Sequence, residues 1–439
     1  MDPNLQANDT PSSAQPAGLL VVTIDRLPAW MLAAYGATWV ATPALDSLAA
    51  RGVVFDRVIT PSIGAPDTLH DLLTAGAASD QPLDQPLLAA AAAGGWRPVV
   101  VTDDAAVAAD MAVDDAGTAA SVRLVEAVTK ETVEDDDTQT SIARLIDAAL
   151  EVIESKEHRL VWCHVGSLNV AWDAPVRYRD RYVDPEDPPP PSGARVPGFA
   201  VDANTDPDLV VGVRQVFAGQ VTLLDSQLGR LFAAVREAKA AAGGPWAVLV
   251  VGVRGLPLGL HGWVGGGERE LPFGELIHVP AIFVDAAGRM AAQRHGGLVV
   301  PADLGATLAD LVAQGTGSWP QASVVDPAAP WRGVSLAGLF EHWSAPRRDR
   351  VIVAGTDGGA IVTPEWHGLL ETGAAPADVN RGHERRIRLF AKPDDFFELA
   401  DVANRCADVA GPLGDLLERA CAGDRGVAWL TPLPETTGE

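Results

Sequence analysis

A carboxylate and a guanidinium group stand side by side where the first apolar segment of the chain ends. The run GLLVVTI is a continuous stretch of leucine and β-branched residues, which indicates a strand buried on both faces, and Asp25 and Arg26 follow it directly. Open α/β sheets bind their ligands at the carboxyl ends of the strands. We therefore expect Asp25 to line a pocket, and capping of the strand end is the alternative interpretation.

A second set of chemically capable residues lies in PDTLHDLLTAG, a predicted helix that begins at Pro66 and ends at Gly76. Thr68 could act as a nucleophile with His70 and Asp71 as a proton-transfer pair, and the N-terminus of the helix would favour an anion there. More often, side chains in this arrangement only solvate a helix. Both interpretations stay open at this point.

Strands and helices alternate through most of the chain around these residues. Predicted strands such as VVFDRVI, RLVWCHV and WAVLVVGV alternate with predicted helices such as TPALDSLAARG, SIARLIDAALEVIESK and residues 209–242. This alternation predicts a doubly wound α/β domain. After residue 343, the short strands DRVIVAG, GAIVTPEW and RIRLFAKP and the closing helix GPLGDLLERACA predict a smaller, largely antiparallel α+β unit.

Composition excludes several classes of partner. The 439 residues carry 33 Lys and Arg against 58 Asp and Glu, a net charge of −25, so the overall field repels nucleic acid and anionic membrane surfaces. No apolar run reaches the roughly 20 residues that span a bilayer, and the polar start has no apolar signal core. The three cysteines show no CxxC spacing, so neither a disulfide framework nor a zinc site is predicted. We expect a cytoplasmic protein.

Taken in order, the segments of this chain resemble the sulfatases of the alkaline phosphatase superfamily. The opening GLLVVTIDRLPAWMLAAYGATWVATPALDSLAARGVVFDRVITPS resembles the sulfatase start, and WCHV followed by VRYRDRYVDP is similar to the His-bearing strand of the family and the segment after it. Further matches are VTLLDSQLGRLFAAVREA, WAVLVVGVRGLPLGLHGWVGGG, HVPAIFVD, PADLGATLADLVA and RIRLFAKPDDFFELADVANRCADV. The resemblance covers nearly everything after residue 18 and depends on the order and spacing of many short matches.

The resemblance implies a calcium ion held by carboxylates and a formylglycine made from a CxPSR motif, and this chain departs from both. Asp25 matches the first aspartate of the family's pair, but Arg26 stands where the second is expected. The turn that should read Ser-Asp-His-Gly reads Gly-Val-Arg-Gly and brings in Arg254. Because Ca²⁺ takes six to eight oxygen ligands, these replacements predict that the calcium site is lost.

The nucleophile segment also departs from the family. SIGAPDTLHDLLTAG contains no CxPSR, and the family's cysteine falls on Ala65 or, with a gap, on Thr68. His164 and His261 match family histidines, although each could equally be structural. The family's next lysine falls within residues 265–267, which are all glycine and predict a flexible turn.

These observations predict a sulfatase-like α/β protein with a mixed, mainly parallel sheet, helices on both faces and a smaller C-terminal antiparallel domain. We expect a disordered tail at 1–17, the α/β domain at 18–343 and the α+β domain at 344–439. We expect a pseudoenzyme with a binding or scaffolding role, without metal or cofactor, and with a small anionic ligand such as a sulfate or phosphate ester. The predicted anion-binding residues are Asp25, Arg26, Arg254 and His164.

Two alternatives remain. An active, metal-independent sulfate or phosphate ester hydrolase would use Thr68 as the nucleophile and His70 or His261 as the acid or base, with a guanidinium group in place of the metal. A partner-binding module would use the proline-rich excursion at 184–197. The sequence does not indicate which protein the partner would be. The two arginines could also simply close a disused cavity through salt bridges.

Overall fold

The computed structural model describes residues 16–76, 86–111, 120–127, 131–242, 244–266, 271–313, 333–339, 348–354, 358–371 and 387–424. Pro16 and Ala17, which the sequence placed in the tail, lie within this part, and Arg159 donates hydrogen bonds to both of their carbonyl groups. The described chain therefore begins two residues before the predicted start of the α/β domain. The predicted boundary at 343/344 and Gly267 lie outside the described residues.

The strands and helices alternate as the sequence predicts. The strands are β1 (Gly18–Ile24), β2 (Val53–Ile59), β3 (Pro98–Thr102), β4 (Ser121–Leu124), β5 (Leu160–Val165), β6 (Phe199–Ala200), β7 (Trp246–Gly252), β8 (Trp263–Val264), β9 (His278–Val279), β10 (Ala281–Val284), β11 (Gln293–Val299), β12 (Val351–Ala354), β13 (Gly358–Val362), β14 (Trp366–Glu371) and β15 (Ile387–Ala391). The helices are α1 (Pro43–Ala49), α2 (Ala65–Thr74), α3 (Pro86–Ala93), α4 (Ala105–Met111), α5 (Ser141–Ser155), α6 (Val176–Arg179), α7 (Pro207–Ala242), α8 (Gly274–Ile277), α9 (Pro301–Ala313) and α10 (Ala407–Cys421).

The main sheet has β1 near its centre. Its strand order is β11-β2-β10-β7-β1-β5-β3-β4, and β9 pairs with β2. β1 runs parallel to both β5 and β7, and β3 runs parallel to β4 and β5, whereas β10 is antiparallel to its neighbours β2 and β7. The carboxyl ends of β1, β3, β5 and β7 therefore meet at one edge of the sheet.

Alternation of side chains along β1 fills two helical layers. Leu20 and Val22 join a core with α1, α5 and α7 on one face, and Leu19 and Val21 join a core with α2, α3 and α9 on the other face. All seven residues of β1 are buried. A strand covered on both faces by helices is the arrangement that a continuous apolar run predicts.

A separate antiparallel sheet, in the order β12-β13-β14-β15, forms the C-terminal unit. One face packs against α10, whose Leu413 and Leu417 meet Ile361 and Leu389. The other face packs against Phe273 and neighbouring residues of the α/β unit. The predicted fold class, a mainly parallel sheet with helices plus a small antiparallel sheet, is confirmed.

The proline-rich excursion is tied to the α/β unit. Arg179 donates to the carbonyl oxygens of Pro191 at 2.8 Å and Gly193 at 2.9 Å, and the Trp172 amide donates to Ala194 at 2.7 Å. Within the described ranges, no helix combines the length and the apolarity that a membrane crossing needs, and the long helix α7 is no exception.

Candidate functional site

The ends of β1 and β7 place Asp25 beside Arg254. The Asp25 amide donates to Val165 of β5 at 2.9 Å, which continues the sheet one residue past β1. The Leu27 amide then donates to the Arg254 carbonyl at 3.0 Å, so the segments that follow β1 and β7 remain paired. Two residues 229 positions apart in the sequence are thereby held at the same edge of the sheet.

Asp25 and Arg254 form a two-pronged ion pair. Arg254 Nε donates to Asp25 Oδ1 at 2.8 Å, and Arg254 Nη2 donates to Asp25 Oδ2 at 3.1 Å. The side chains are only 5% and 15% exposed, so water screens the pair weakly. This fork-to-fork geometry is the strongest arrangement available to a carboxylate and a guanidinium group. Both oxygens of Asp25 are engaged by it.

Arg26 lies next to this pair in a strained backbone conformation. Its φ is 62°, a left-handed value that costs a non-glycine residue about 1–2 kcal/mol. The Arg26 amide donates to Asp25 Oδ1 at 3.0 Å, and its Nε donates to Asn169 Oδ1 at 3.2 Å. A Cβ atom at Gly266 would lie 2.9 Å from Arg26 Nη2, so a larger residue there would press on the guanidinium group. Strain of this kind is concentrated at functional sites.

His164, from β5, completes the group at this edge. It is buried, and Thr23 Oγ1 lies 2.9 Å from its Nδ1 and also accepts from Trp162 Nε1 at 2.9 Å. Burial lowers the pKa of His164, and the nearby negative charges of Asp25 and Asp104 oppose that shift. The ring therefore favours its neutral form, with Nδ1 held by Thr23.

We predict that the Thr23 hydroxyl contributes measurably to the stability of the folded protein at this site. Thr23→Val leaves Trp162 Nε1 and His164 Nδ1 buried without their partner, and we expect it to lower the free energy of unfolding by about 1–3 kcal/mol in a urea titration. Thr60→Val is the matched control, because Thr60 is equally buried but donates only one long bond, 3.4 Å to Ile277. Equal losses in the two variants would contradict the prediction.

The sequence reasoning missed Asp103, at the end of β3. Its carboxylate accepts from the Gly166 amide at 2.6 Å and the Ser167 amide at 3.2 Å, which joins the ends of β3 and β5. Burial raises its pKa to about 6, although these hydrogen bonds act in the other direction. The signal was available, because VVVTDD ends in carboxylates after an apolar strand just as GLLVVTID does.

His261 belongs to a second group of polar side chains. Its ring stacks on Phe273 with centroids 3.6 Å apart, and its Nε2 lies 3.8 Å from Glu398 Oε2. Glu398 also accepts from Lys392 Nζ at 2.5 Å and from His367 Nδ1 at 3.0 Å. His261 thus lies between Phe273 of the α/β unit and Glu398 of the C-terminal unit. Glu398 and Lys392 lie in RLFAKPDDFFELAD, which the sequence identified only as a terminal segment.

Thr68 and His70 lie on α2, and the helix does not bring them together. Thr68 is fully buried and its hydroxyl donates to Gly64 at 3.4 Å. His70 is two positions away, and such residues do not face each other on an α-helix, whereas Asp71, three positions away, does face Thr68. Burial raises the pKa of Asp71 to about 7, with added repulsion from other carboxylates. α2 packs on α9 so tightly that a Cβ atom at Gly305 would lie 2.2 Å from the Leu72 carbonyl oxygen.

The residues present at the end of β1 do not fit a calcium ion. Ca²⁺ needs several free carboxylate or carbonyl oxygens, but both oxygens of Asp25 accept from arginine, and the neighbouring ligand positions hold Arg26, Val253 and Arg254. Throughout the described ranges, no cluster of three or more His, Cys, Asp or Glu residues could hold a metal ion. The two positions that the resemblance assigns to the nucleophile, Ala65 and Thr68, both lie in α2.

No family model matches this sequence, and no curated protein matches it. Solved structures do match. The phosphonate monoester hydrolase of Agrobacterium radiobacter superposes with a TM-score of 0.67 at 17% identity, over 94% of this chain and 96% of that one. BT4656, solved with its substrate D-glucosamine-2-N,6-O-disulfate, gives 0.68 at 12% identity, over 94% and 99% of the chains. BT1596, a 2-O GAG sulfatase, gives 0.63 at 16% identity, over 94% and 92%.

These matches define the class of fold. The chain has the fold of these sulfatases and phosphonate monoester hydrolases, including the small C-terminal sheet. The resemblance predicted from the sequence is confirmed at the level of the fold. At these identities the likeness carries no site residue from the neighbours to this chain.

Proposed function

We propose that this chain is a sulfatase-like protein that has lost the calcium site and the formylglycine nucleophile and acts as a pseudoenzyme, with a binding or scaffolding role. The observation that carries the proposal is the ion pair of Asp25 and Arg254, which engages both oxygens of the carboxylate that the resemblance assigns to the metal. A fixed guanidinium group supplies positive charge in the place of a divalent cation.

The loss of the metal site is tested directly by calorimetric titration with Ca²⁺, Mn²⁺ and Zn²⁺. We expect no binding in the micromolar range, because two arginine side chains next to Asp25 repel a dication. Micromolar binding that disappears in Asp25→Ala would overturn the proposal. The titration is repeated with protein that has been treated with a chelator, so that a metal ion retained during purification does not hide a binding site.

The ligand that this edge of the sheet would bind is a small anion such as a sulfate or phosphate ester. Arg26 supports this choice, because its backbone strain holds a buried guanidinium group beside Asn169 and Gly266. One of the solved neighbours was captured with a disulfated sugar, which agrees with an anionic ligand in this fold. Asp25 and Arg254 would then fix the position of Arg26, and His164 would add a neutral ring to the wall.

Arg26→Met is expected to weaken binding of an aryl sulfate or aryl phosphate about tenfold or more, because a charge-assisted hydrogen bond is lost. Binding is measured by calorimetry at low salt. Arg51→Met is the control, since Arg51 follows α1 and its guanidinium group donates to Ser47 of that helix. If wild-type protein binds neither ester, or if both variants bind equally well, Arg26 is not an anion-binding residue.

The alternative function is a metal-independent ester hydrolase with Thr68 as the nucleophile. Asp71 favours it, because a half-buried carboxyl group with a pKa near 7 lies on the same face of α2 as the buried Thr68. We expect aryl sulfates and phosphates to be hydrolysed no faster in the presence of the purified protein than in buffer. Turnover that is lost in Thr68→Ala and retained in Thr60→Ala would establish the alternative and end the pseudoenzyme proposal.

A further inference from the structure

A small, partly enclosed cavity lies between the segment that follows Asp25 and the turn that precedes α10. Its volume is about 10 Å³, and its wall includes Trp30, His261, Glu275, Phe397 and Glu398. That volume is about the size of one water molecule. The wall brings together the α/β unit and the C-terminal unit, because Phe397 packs edge-on against Trp30 with centroids 5.9 Å apart.

Two residues of this wall each carry a buried polar atom that has no hydrogen-bond partner. The atoms are Trp30 Nε1 and His261 Nε2, and the His261 side chain is only 9% exposed. Glu398 Oε2 lies 3.8 Å from His261 Nε2, which is too far for a direct hydrogen bond. Buried polar atoms in native proteins are nearly always satisfied, and an internal water is a common partner.

The chemistry of these two atoms restricts the occupant. A hydrogen bond to the Phe397 backbone raises the pKa of His261, as a carbonyl acceptor does. Because Nε2 has no hydrogen-bond partner, we assign this bond to Nδ1. Burial nevertheless lowers the pKa of His261 to about 4, so the ring is neutral at pH 7 and Nε2 can only accept. The indole of Trp30 can only donate.

An occupant must therefore accept a hydrogen bond from Trp30 and donate one to His261. A metal cation cannot accept a hydrogen bond, and a bare anion cannot donate one. A water molecule does both and has a second proton for Glu398 Oε2. Burial raises the pKa of Glu275 to about 8, so this carboxyl group is mostly protonated at pH 7 and adds no second negative charge to the wall.

We propose that this cavity binds a single water molecule, which accepts from Trp30 Nε1 and donates to His261 Nε2 and Glu398 Oε2. The water is then the polar link between the Phe397 turn and the chain that leaves Asp25, since Trp30 follows Asp25 by five residues. Through this water, the C-terminal unit fixes the position of the segment between Asp25 and Trp30, next to the candidate anion site. This inference does not depend on what, if anything, that site binds.

The first test is a crystal structure of the whole chain at a resolution that shows ordered water. The expected result is one density peak within 2.7–3.2 Å of both Trp30 Nε1 and His261 Nε2, the range of ordinary hydrogen bonds. An empty cavity, a peak that reaches only one of the two atoms, or a direct protein partner for either atom would overturn the proposal.

The second test follows the Trp30 indole proton in solution by NMR, with the signal assigned from its loss in Trp30→Phe. We expect a nuclear Overhauser effect to water with the sign of a long-lived complex. His261→Phe keeps the stack on Phe273 but removes the acceptor, and the effect should fall several-fold or vanish. His295→Phe is the control, because His295 contacts Phe55 and lies outside the cavity wall. An unchanged effect in His261→Phe contradicts the assigned water.

Discussion

Asp25→Asn is expected to lower the free energy of unfolding by about 3–5 kcal/mol, because it removes the charge that compensates the buried Arg254 guanidinium group. The substitution keeps the shape of the side chain, so the loss reports the charge and not a cavity. The measurement is a urea titration followed by tryptophan fluorescence. The expected loss is a large fraction of the stability of an ordinary domain.

The matched control is an exposed ion pair of similar length. Arg123 and Glu151 lie 2.6 Å apart with side chains 43% and 66% exposed, and we expect Glu151→Gln to cost less than about 1 kcal/mol. The double variant Asp25→Asn with Arg254→Met should recover part of the loss, since neither charge is then left alone. A loss in Asp25→Asn no larger than that in Glu151→Gln would mean that the pair does not hold this edge of the sheet.

Glu398→Gln is expected to have an effect of similar size, again about 3–5 kcal/mol, because this one carboxylate serves several buried partners. It accepts from Lys392 Nζ at 2.5 Å, from His367 Nδ1 at 3.0 Å and from the first amide of α8, at Gly274, at 2.8 Å. The side chain of Glu398 is 2% exposed. Glutamine retains the size but leaves Lys392 without its counter-charge.

The pH dependence of stability gives an independent measure of Glu398. Burial opposes its ionisation, but attraction to His367 and Lys392 and their hydrogen bonds outweigh burial and lower its pKa from 4.5 to about 2. A carboxyl group whose folded-state pKa is depressed contributes stability above its unfolded-state pKa and loses it on acidification. The contribution is therefore complete above pH 4.5 and disappears as the pH falls through 2.

We expect the difference in unfolding free energy between wild type and Glu398→Gln to shrink as the pH falls from 5 to 2. Glu371→Gln is the control, because Glu371 of β14 pairs with Arg388 of β15 at 2.5 Å in a more exposed ion pair of the C-terminal unit. The control should cost less than about 1 kcal/mol at every pH. A difference that stays constant over this pH range would contradict the assigned charge state of Glu398.

Several features of this protein follow from local patterns in the sequence. The apolar run before Asp25 predicts a central strand because a parallel strand is covered on both faces, and the alternation of strands and helices predicts the α/β layers. The missing CxPSR motif and the arginines at 26 and 254 are visible without coordinates. These features depend on residues close together in the chain, so their periodicity and spacing are sufficient to reveal them.

Only the tertiary structure decided which distant side chains meet. The guanidinium group of Arg254 pairs with Asp25, and the ring of His164 is hydrogen-bonded to Thr23. His261 lies near Glu398 of the C-terminal unit and not near Asp25. Sequence fixes the identity of charged groups, but their pairing depends on the register of the sheet and on the docking of the C-terminal unit, which are set by contacts over hundreds of residues.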